Sequence, residues 1–207
     1  MTSNRSVTLT FRQLVGNPEV LGRLLATEGA VRTGHYRLLS GQHTDQFLAF
    51  SAIAADAAAL DLVASWLAPT VEAWAPDSVL APSTAGVGLA ATLARTLSAP
   101  LHLIAAGPDG RPAHVLGSAI TPRARVLLVN DITTTGAALT TLSRIATSAG
   151  AEVVGAAIFA ARDTRSLSTF NLPIARVADL DLPAWPGNTC PLCDSNSADL
   201  EYARDLN

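Results

Sequence analysis

The sequence predicts an α/β protein: a mostly parallel sheet flanked by helices, with a small N-terminal hood. Three observations predict it. First, the short apolar run 126–129 is followed by a polar loop and then a helical pattern from about Ala137, with Leu139, Leu142, Ile145 and Ala146 on one face. Second, the run 78–81 opens another unit of the same kind, with the small-residue loop 82–88 and a helix to about Leu97. Third, 152–160 reads as a strand buried on both faces. Strands and helices in this alternation bring the loops that follow the strands to one edge of the sheet.

Size and charge narrow the function classes. A chain of 207 residues, 49% of them hydrophobic, suits one α/β domain with a sizeable core. Its net charge of -3, without a basic block, argues against nucleic acid as the main partner. The longest uncharged run, 78–94, contains Pro82, Gly86 and Gly88 and is too short and interrupted to span a membrane. The N-terminus lacks the apolar core of a signal peptide, so the expectation is a cytoplasmic protein. All 14 basic residues are Arg; the chain contains no Lys.

In chain order, residues 1–10 read as a loose tail. Asn17 or Pro18 starts a helix through Thr27, with Val20, Leu21, Leu24 and Leu25 apolar. Segments 36–39 and 47–50 read as two short strands joined by the turn 40–45, and His35 and His43 flank the first with no partner evident. Leu60, Val63, Ala64 and Leu67 mark a helix over 57–67, and Pro69 and Pro76 bracket the linker to the next strand. Segment 107–118, with three Gly and two Pro, reads as a loop or hairpin. A last short strand is expected at 173–177. The expected division is a tail and hood at 1–55, a core at 56–180 and a C-terminal tail at 181–207.

The chemistry concentrates at 130–136. Asn130 and Asp131 sit where the apolar strand is expected to end, followed by Ile132, Thr133, Thr134, Thr135 and Gly136. Such a loop turns backbone N–H groups and a helix N-terminus toward one point, which favours an anion. Asp131 beside an anion would be repelled unless something lies between, such as a sugar diol or a hydrated Mg²⁺. The loop 82–88 has the same physics. Its Gly86, Gly88 and Ala91 also spell G-x-G-x-x-A, a dinucleotide fingerprint. That reading expects an acid after the next strand, 101–105, where the chain instead has Ala106, Gly107 and Pro108.

The stretch 125–139 resembles the phosphoribosyl pyrophosphate (PRPP) signature of type I phosphoribosyltransferases. In its order of apolar strand, acids, Thr-Thr-Gly and small residue it departs twice, with Asn130 for the first acid and Ala138 for a hydroxyl residue. The resemblance is nearest to the orotate phosphoribosyltransferases and runs from about Gly34 to Cys193. It implies that Asn130 and Asp131 hold the ribose hydroxyls of PRPP, and that Thr133, Thr134, Thr135, Gly136 and Ala137 hold its 5-phosphate. Ser83, Thr84, Ala85 and Gly86 would hold the pyrophosphate, with Mg²⁺ as cofactor. Ser40, Gly41, Thr44 and Phe47 loosely match the hairpin that covers the acceptor.

In those enzymes the region matching 107–118 carries Lys and closes over the partner subunit's site in a homodimer. Here Arg111 and His114 are the candidates for that work; the alternative is a plain connector. The implied reaction transfers the phosphoribosyl group to an acceptor, orotate by default. A different acceptor, such as a specialised metabolite, and a non-catalytic PRPP sensor are the alternatives. Cys190-Pro191-Leu192-Cys193 resembles the end of several family members; one CxxC is half of a zinc site, and it could pair with its copy across a dimer.

Overall fold

The computed structural model describes residues 10–38, 40–84, 86–107, 112–162, 167, 170–194 and 200–202. The strands β1 (Thr10–Gln13), β4 (Ser78–Pro82), β5 (Leu101–Ala106), β6 (Pro112–Leu116), β7 (Arg125–Thr133), β8 (Glu152–Ala161) and β9 (Ile174–Asp181) form one sheet. Its order is β1-β9-β8-β7-β4-β5-β6. The interior pairs β9·β8, β8·β7, β7·β4 and β4·β5 are parallel, and β1 and β6 close the two edges antiparallel. The mostly parallel sheet read from the sequence is thus the fold observed.

Alternation along the central strands explains why both faces are covered. Val79, Ala81, Leu127, Val129, Ala157 and Phe159 pack on one side, under α3 (Ala57–Glu72) and α4 (Val87–Thr96). Leu80, Val126, Leu128, Ala156 and Ile158 pack on the other, under Leu139, Leu142 and Ala146 of α5 (Ala137–Ser148). A strand that is apolar at every position needs this two-sided cover. Two short helices, α1 (Pro18–Leu25) and α2 (Phe50–Ala54), extend the first face. Phe50 of α2 meets Phe159 with ring centroids 5.0 Å apart.

A second, three-stranded sheet is the hood. It orders β10 (Leu200–Tyr202), β2 (Val31–Arg37) and β3 (His43–Leu48). Tyr36, Leu38, Phe47 and Ala49 form its own small core.

Several expected boundaries move, each for a tertiary reason. β7 runs on to Thr133 rather than ending at Val129, because β8 pairs with it as far as Thr133↔Ala161. Pro69 lies inside α3 instead of in a linker. Proline costs a helix about 3 kcal/mol, but Ala68 before it and Val71 beyond it are buried in the core and hold the last turn in place. Phe50 begins α2 rather than ending a strand, and β2 starts at Val31. Thr10 opens β1, where the sequence suggested a tail; residues 1–9 of that tail lie outside the described set. Among the described residues no helix is long and apolar enough to cross a membrane.

The β1 edge is locked by charge. Arg12 stands opposite Asp179 and donates to Oδ2 at 2.7 Å, while Arg176 Nε donates to Oδ1 at 2.6 Å. Burial alone would raise the Asp179 carboxyl; the bonds from Arg176 and Arg12 outweigh it and hold the group below its ordinary value. A depressed folded pKa contributes stability above the unfolded value, and that contribution disappears as pH falls through the folded one. Asp179→Asn should therefore cost about 1–3 kcal/mol in urea unfolding at neutral pH. The cost should shrink as pH falls through the depressed folded pKa; a cost that stays the same from neutral to strongly acid pH would contradict the account.

Candidate active site

The parallel strands β4, β5 and β7 point the same way, so the loops after them share one edge of the sheet. β4 and β7 are direct neighbours. The loop after β4 meets the end of β7 itself: a Cβ built on Gly86 would lie 2.9 Å from the backbone nitrogen of Asp131 and 3.2 Å from the carbonyl carbon of Asn130. Gly86 has an ordinary φ of -74° at the N-cap of α4, so this glycine answers to close approach and not to backbone strain. Gly88 answers to a different neighbour, since its Cβ would lie 2.9 Å from Leu60 Cδ1 of α3. The G-x-G spacing is thus a packing requirement on both sides of α4. No acid ends β5 as a dinucleotide site would require: the strand ends at Ala106.

The loop after β7 is built by Thr133 and Gly136. Thr133 is buried, and its hydroxyl oxygen accepts from the Gly136 N–H at 3.0 Å. Gly136 takes φ 72°, a left-handed conformation that starts α5 directly after the turn. The Thr133 side chain is therefore engaged in shaping the loop. Thr134 is half-buried, and Thr135 and Ala137 are exposed at its rim. The first N–H groups of α5 have no acceptor inside the helix. Across the gap, Ser83 and Thr84 are exposed after β4; Ala85 lies outside the described residues.

Asn130 and Asp131 sit on the floor between the loops. Asn130 is buried, and its Nδ2 donates to the Ile132 carbonyl at 3.3 Å. Burial pushes the Asp131 carboxyl up to about 6, against hydrogen bonds from the Ile132 and Asp131 N–H groups that pull it down. This is a carboxylate whose charge is kept against desolvation, a pattern typical of functional sites.

The hood stands over this edge through Arg162, a residue at the end of β8 that the sequence reading assigned no role. Its backbone N–H donates to the Thr133 carbonyl at 2.9 Å, beside the Thr-rich loop. Its guanidinium donates to Thr44 Oγ1 at 2.8 Å and to the Gln46 carbonyl at 3.2 Å, both on β3. Burial lowers its pKa to about 10, partly offset by the Asp45 carboxylate. The Nε of Arg162, Oδ1 of Asp45 and Oε1 of Gln46 are buried with no partner among the described residues. The only sequence signal for Arg162 was its place, with Asp163, just beyond a buried strand.

The remaining expected residues are more dispersed. Ser40 and Gly41 lie exposed on the hood turn, where Gly41 takes φ 84°. Phe47 is buried inside the hood against Tyr36, so its ring packs the hood instead of presenting a face to the cleft. His114 is exposed on β6, opposite Ala105 of β5. Three strand spacings, about 14 Å, separate β6 from β7, so His114 does not sit beside Asp131 of its own chain. Arg111 lies outside the described residues.

The comparisons with known proteins agree with this geometry. The model of the phosphoribosyl transferase domain matches residues 50–169, from the start of α2 past the second loop. The chain belongs to the phosphoribosyl transferase family. It is an enzyme of the transferase class, acting on the phosphoribosyl group. It is 31% identical over 167 residues to an orotate phosphoribosyltransferase of Thermus thermophilus, spanning 80% of this chain and 90% of that one. A Thermotoga maritima orotate phosphoribosyltransferase is 28% identical, with 84% and 92% covered. The crystal structure of an orotate phosphoribosyltransferase from Aeropyrum pernix superposes with TM-score 0.65 at 25% identity, covering 77% of this chain and 93% of that one.

Two outcomes test the local physics. Gly86→Ala should destabilise by roughly 1–3 kcal/mol, because the atoms it meets are backbone and cannot rotate away. Gly22→Ala on the open face of α1, with nothing within 4 Å, should be neutral or slightly stabilising in the same thermal melts. Asp131 has the opposite sign to Asp179. Its folded pKa of about 6 lies above the ordinary 3.8, so the fold loses stability as pH rises through that window. Asp131→Asn should raise the melting temperature of the ligand-free protein by roughly 2–6 °C near pH 8 and leave it unchanged near pH 4. A lower melting temperature near pH 8 would refute the desolvation account.

Proposed function

We propose that this phosphoribosyltransferase transfers the phosphoribosyl group of PRPP to orotate and releases pyrophosphate. The observation that carries the reading is the contact of Gly86, in the loop after β4, with the β7 backbone at Asp131, which brings that loop and the loop after β7 to either side of one carboxylate. In this reading the 134–137 loop and the N-terminus of α5 hold the 5-phosphate. Ser83 and Thr84, with Ala85 and Gly86, hold the pyrophosphate. Asn130 and Asp131 face the ribose hydroxyls between them, and Thr133 shapes the loop from within.

Mg²⁺ fits this donor set. It is commonly held by one or two carboxylates plus substrate phosphates, without a protein cage. Asp131 is the one carboxylate these two loops carry, and its raised proton affinity is what a nearby cation relieves. When bound with PRPP, Mg²⁺ would supply charge neutralisation at the pyrophosphate. As the bond from C1 to the pyrophosphate oxygen loosens, positive charge grows on the ribose, and the Asp131 carboxylate stabilises it. The acceptor nitrogen then forms the bond to C1, loses its proton to solvent, and pyrophosphate departs with the electron pair of the broken bond.

Orotate is favoured over a neutral acceptor by the half-buried Arg162. Its unpartnered Nε lies between the 5-phosphate loop and the hood, where a carboxylate on the acceptor would pair with it. The hood turn at Ser40 and Gly41 would cover the acceptor, with Phe47 supporting it from inside.

The test is pyrophosphate release from Mg²⁺–PRPP with and without orotate. Orotate-dependent release is expected. Asp131→Asn should reduce it by at least about 100-fold, and Arg162→Lys should raise the orotate KM by roughly tenfold or more with a smaller effect on the PRPP KM. Full activity of Asp131→Asn, or release indifferent to orotate while PRPP binds, would overturn the reading.

Arg111 and His114 are proposed to act on the pyrophosphate of the partner's site in a homodimer. Inactive Asp131→Asn and inactive Arg111→Ala chains, mixed and reassembled, should then recover up to about a quarter of wild-type activity, because half the dimers carry one intact site. No recovery from verified mixed dimers would place the loop's work within its own chain.

A further inference from the structure

On the far side of the hood lies a cluster that phosphoribosyl transfer does not use. The register of the hairpin pairs Arg37 with His43, so His35, two residues before Arg37, is the diagonal neighbour of His43 on the same face. Their ring nitrogens, His35 Nε2 and His43 Nδ1, are 3.1 Å apart. The CxxC of the C-terminal segment comes to the same place from 147 and more residues further along the chain. Cys190 Sγ and Cys193 Sγ each lie 3.6 Å from His35 Nε2, and Cys193 Sγ lies 3.3 Å from His43 Nδ1. All four ligand atoms fall within 4.8 Å of one another. The partners of the CxxC are therefore two histidines of its own chain; no second copy is needed to complete the set.

We propose that His35, His43, Cys190 and Cys193 bind one Zn²⁺, which fastens the C-terminal segment across the hood sheet. The N···N separation and the three short N···S separations match a tetrahedron's edges. Zinc–sulfur bonds of about 2.3 Å and zinc–nitrogen bonds of about 2.05 Å imply N···N edges of about 3.3 Å and N···S edges of about 3.6 Å. Hydrogen bonding accounts poorly for the same convergence. His35 Nε2 faces one nitrogen and two sulfurs, and a ring nitrogen carries at most one proton. Two nitrogens and two sulfurs at tetrahedral spacing select Zn²⁺ over the hard cations. On binding, the two thiols become thiolates and release their protons to solvent, while the imidazoles ligate as neutral rings.

The surrounding chain is built to hold these donors in place. His35, His43 and Cys190 are buried, and only Cys193 is exposed. His43 and Trp185 exchange two backbone hydrogen bonds of 2.8 Å, which bring the segment leading to Cys190 against the edge of β3. A Cβ on Gly187 would lie 3.3 Å from His43 Nε2, so the 3-10 turn Gly187–Thr189 packs directly on that ring. The helix α6 (Pro191–Asp194) then carries Cys193 back over Cys190, with its N–H donating to the Cys190 carbonyl at 3.1 Å. The chain next adds β10 to the other edge of the hood, parallel to β2. The site thus joins the segment between two edges of one small sheet, whose own buried core among the described residues is the small cluster of Tyr36, Leu38, Phe47 and Ala49. A small sheet with so little core is where a metal contributes most to folding.

The test is metal content and spectroscopy of the untagged full chain, without PRPP, so that it stands apart from the transferase assay. About one Zn²⁺ per chain is expected after purification or after reduction and reconstitution. Cobalt substitution should give the intense visible bands of a tetrahedral site together with thiolate-to-cobalt charge transfer. Cys193→Ser, at an exposed position, should weaken Zn²⁺ binding by roughly tenfold or more. His114→Ala, which removes an exposed histidine elsewhere, should keep the full metal content. A reduced, folded wild-type chain that takes up neither Zn²⁺ nor Co²⁺ would overturn the proposal. So would a cobalt spectrum without thiolate charge transfer, or Cys193→Ser binding as tightly as wild type.

Discussion

The site depends on one close approach, that of Gly86 to the backbone of β7. Any side chain at that position would collide with the Asp131 nitrogen at 2.9 Å. With glycine there, the loop after β4 and the loop after β7 become two walls of one cleft, and Asp131 becomes its floor. The parallel pairing of β4 with β7 supplies the direction, and Gly136 turns β7 into α5 sharply enough to leave N–H groups at the rim. Removing the glycine would leave the sheet in place but separate the walls. Burial also raises the Asp131 carboxyl, so a charge at this residue costs the fold stability.

A second constraint links the cleft to the hood. Arg162 leaves β8 beside the Thr133 loop and reaches Thr44 and Gln46 on β3, while Thr44 Oγ1 also donates to the Pro183 carbonyl at 2.8 Å. The hood, the strand ends and the start of the C-terminal segment therefore meet around one guanidinium. The His35–His43–Cys190–Cys193 cluster holds the same segment a short distance further along. A hood secured at both points presents its turn to the cleft with little freedom, which favours positioning of an acceptor.

The central unit was legible in the sequence because its signals are local. The apolar run before Asp131, the hydroxyl-rich loop and the amphipathic pattern after Gly136 all fall within one short stretch. What escaped was set by distant partners. Asn130 and Asp131 belong to β7 only because β8 pairs beside them. Pro69 stays helical only because Val71 is buried against the sheet. Phe47 looked like a cleft residue, but strand alternation turns it into the hood's core with Tyr36. Arg162 and the histidines carried no local pattern at all. His35 and His43 become neighbours through hairpin register, and the cysteines reach them through a backbone bridge at Trp185 that no spacing rule announces.

The measurement that tests the central claim most directly is backbone amide NMR of the 21.4 kDa chain titrated with Mg²⁺ and PRPP. The account predicts saturable shifts concentrated in the amides of 83–88 and 131–138, the two loops moving together with one dissociation constant. Shifts confined to one loop, or centred elsewhere on the sheet, would contradict the shared cleft.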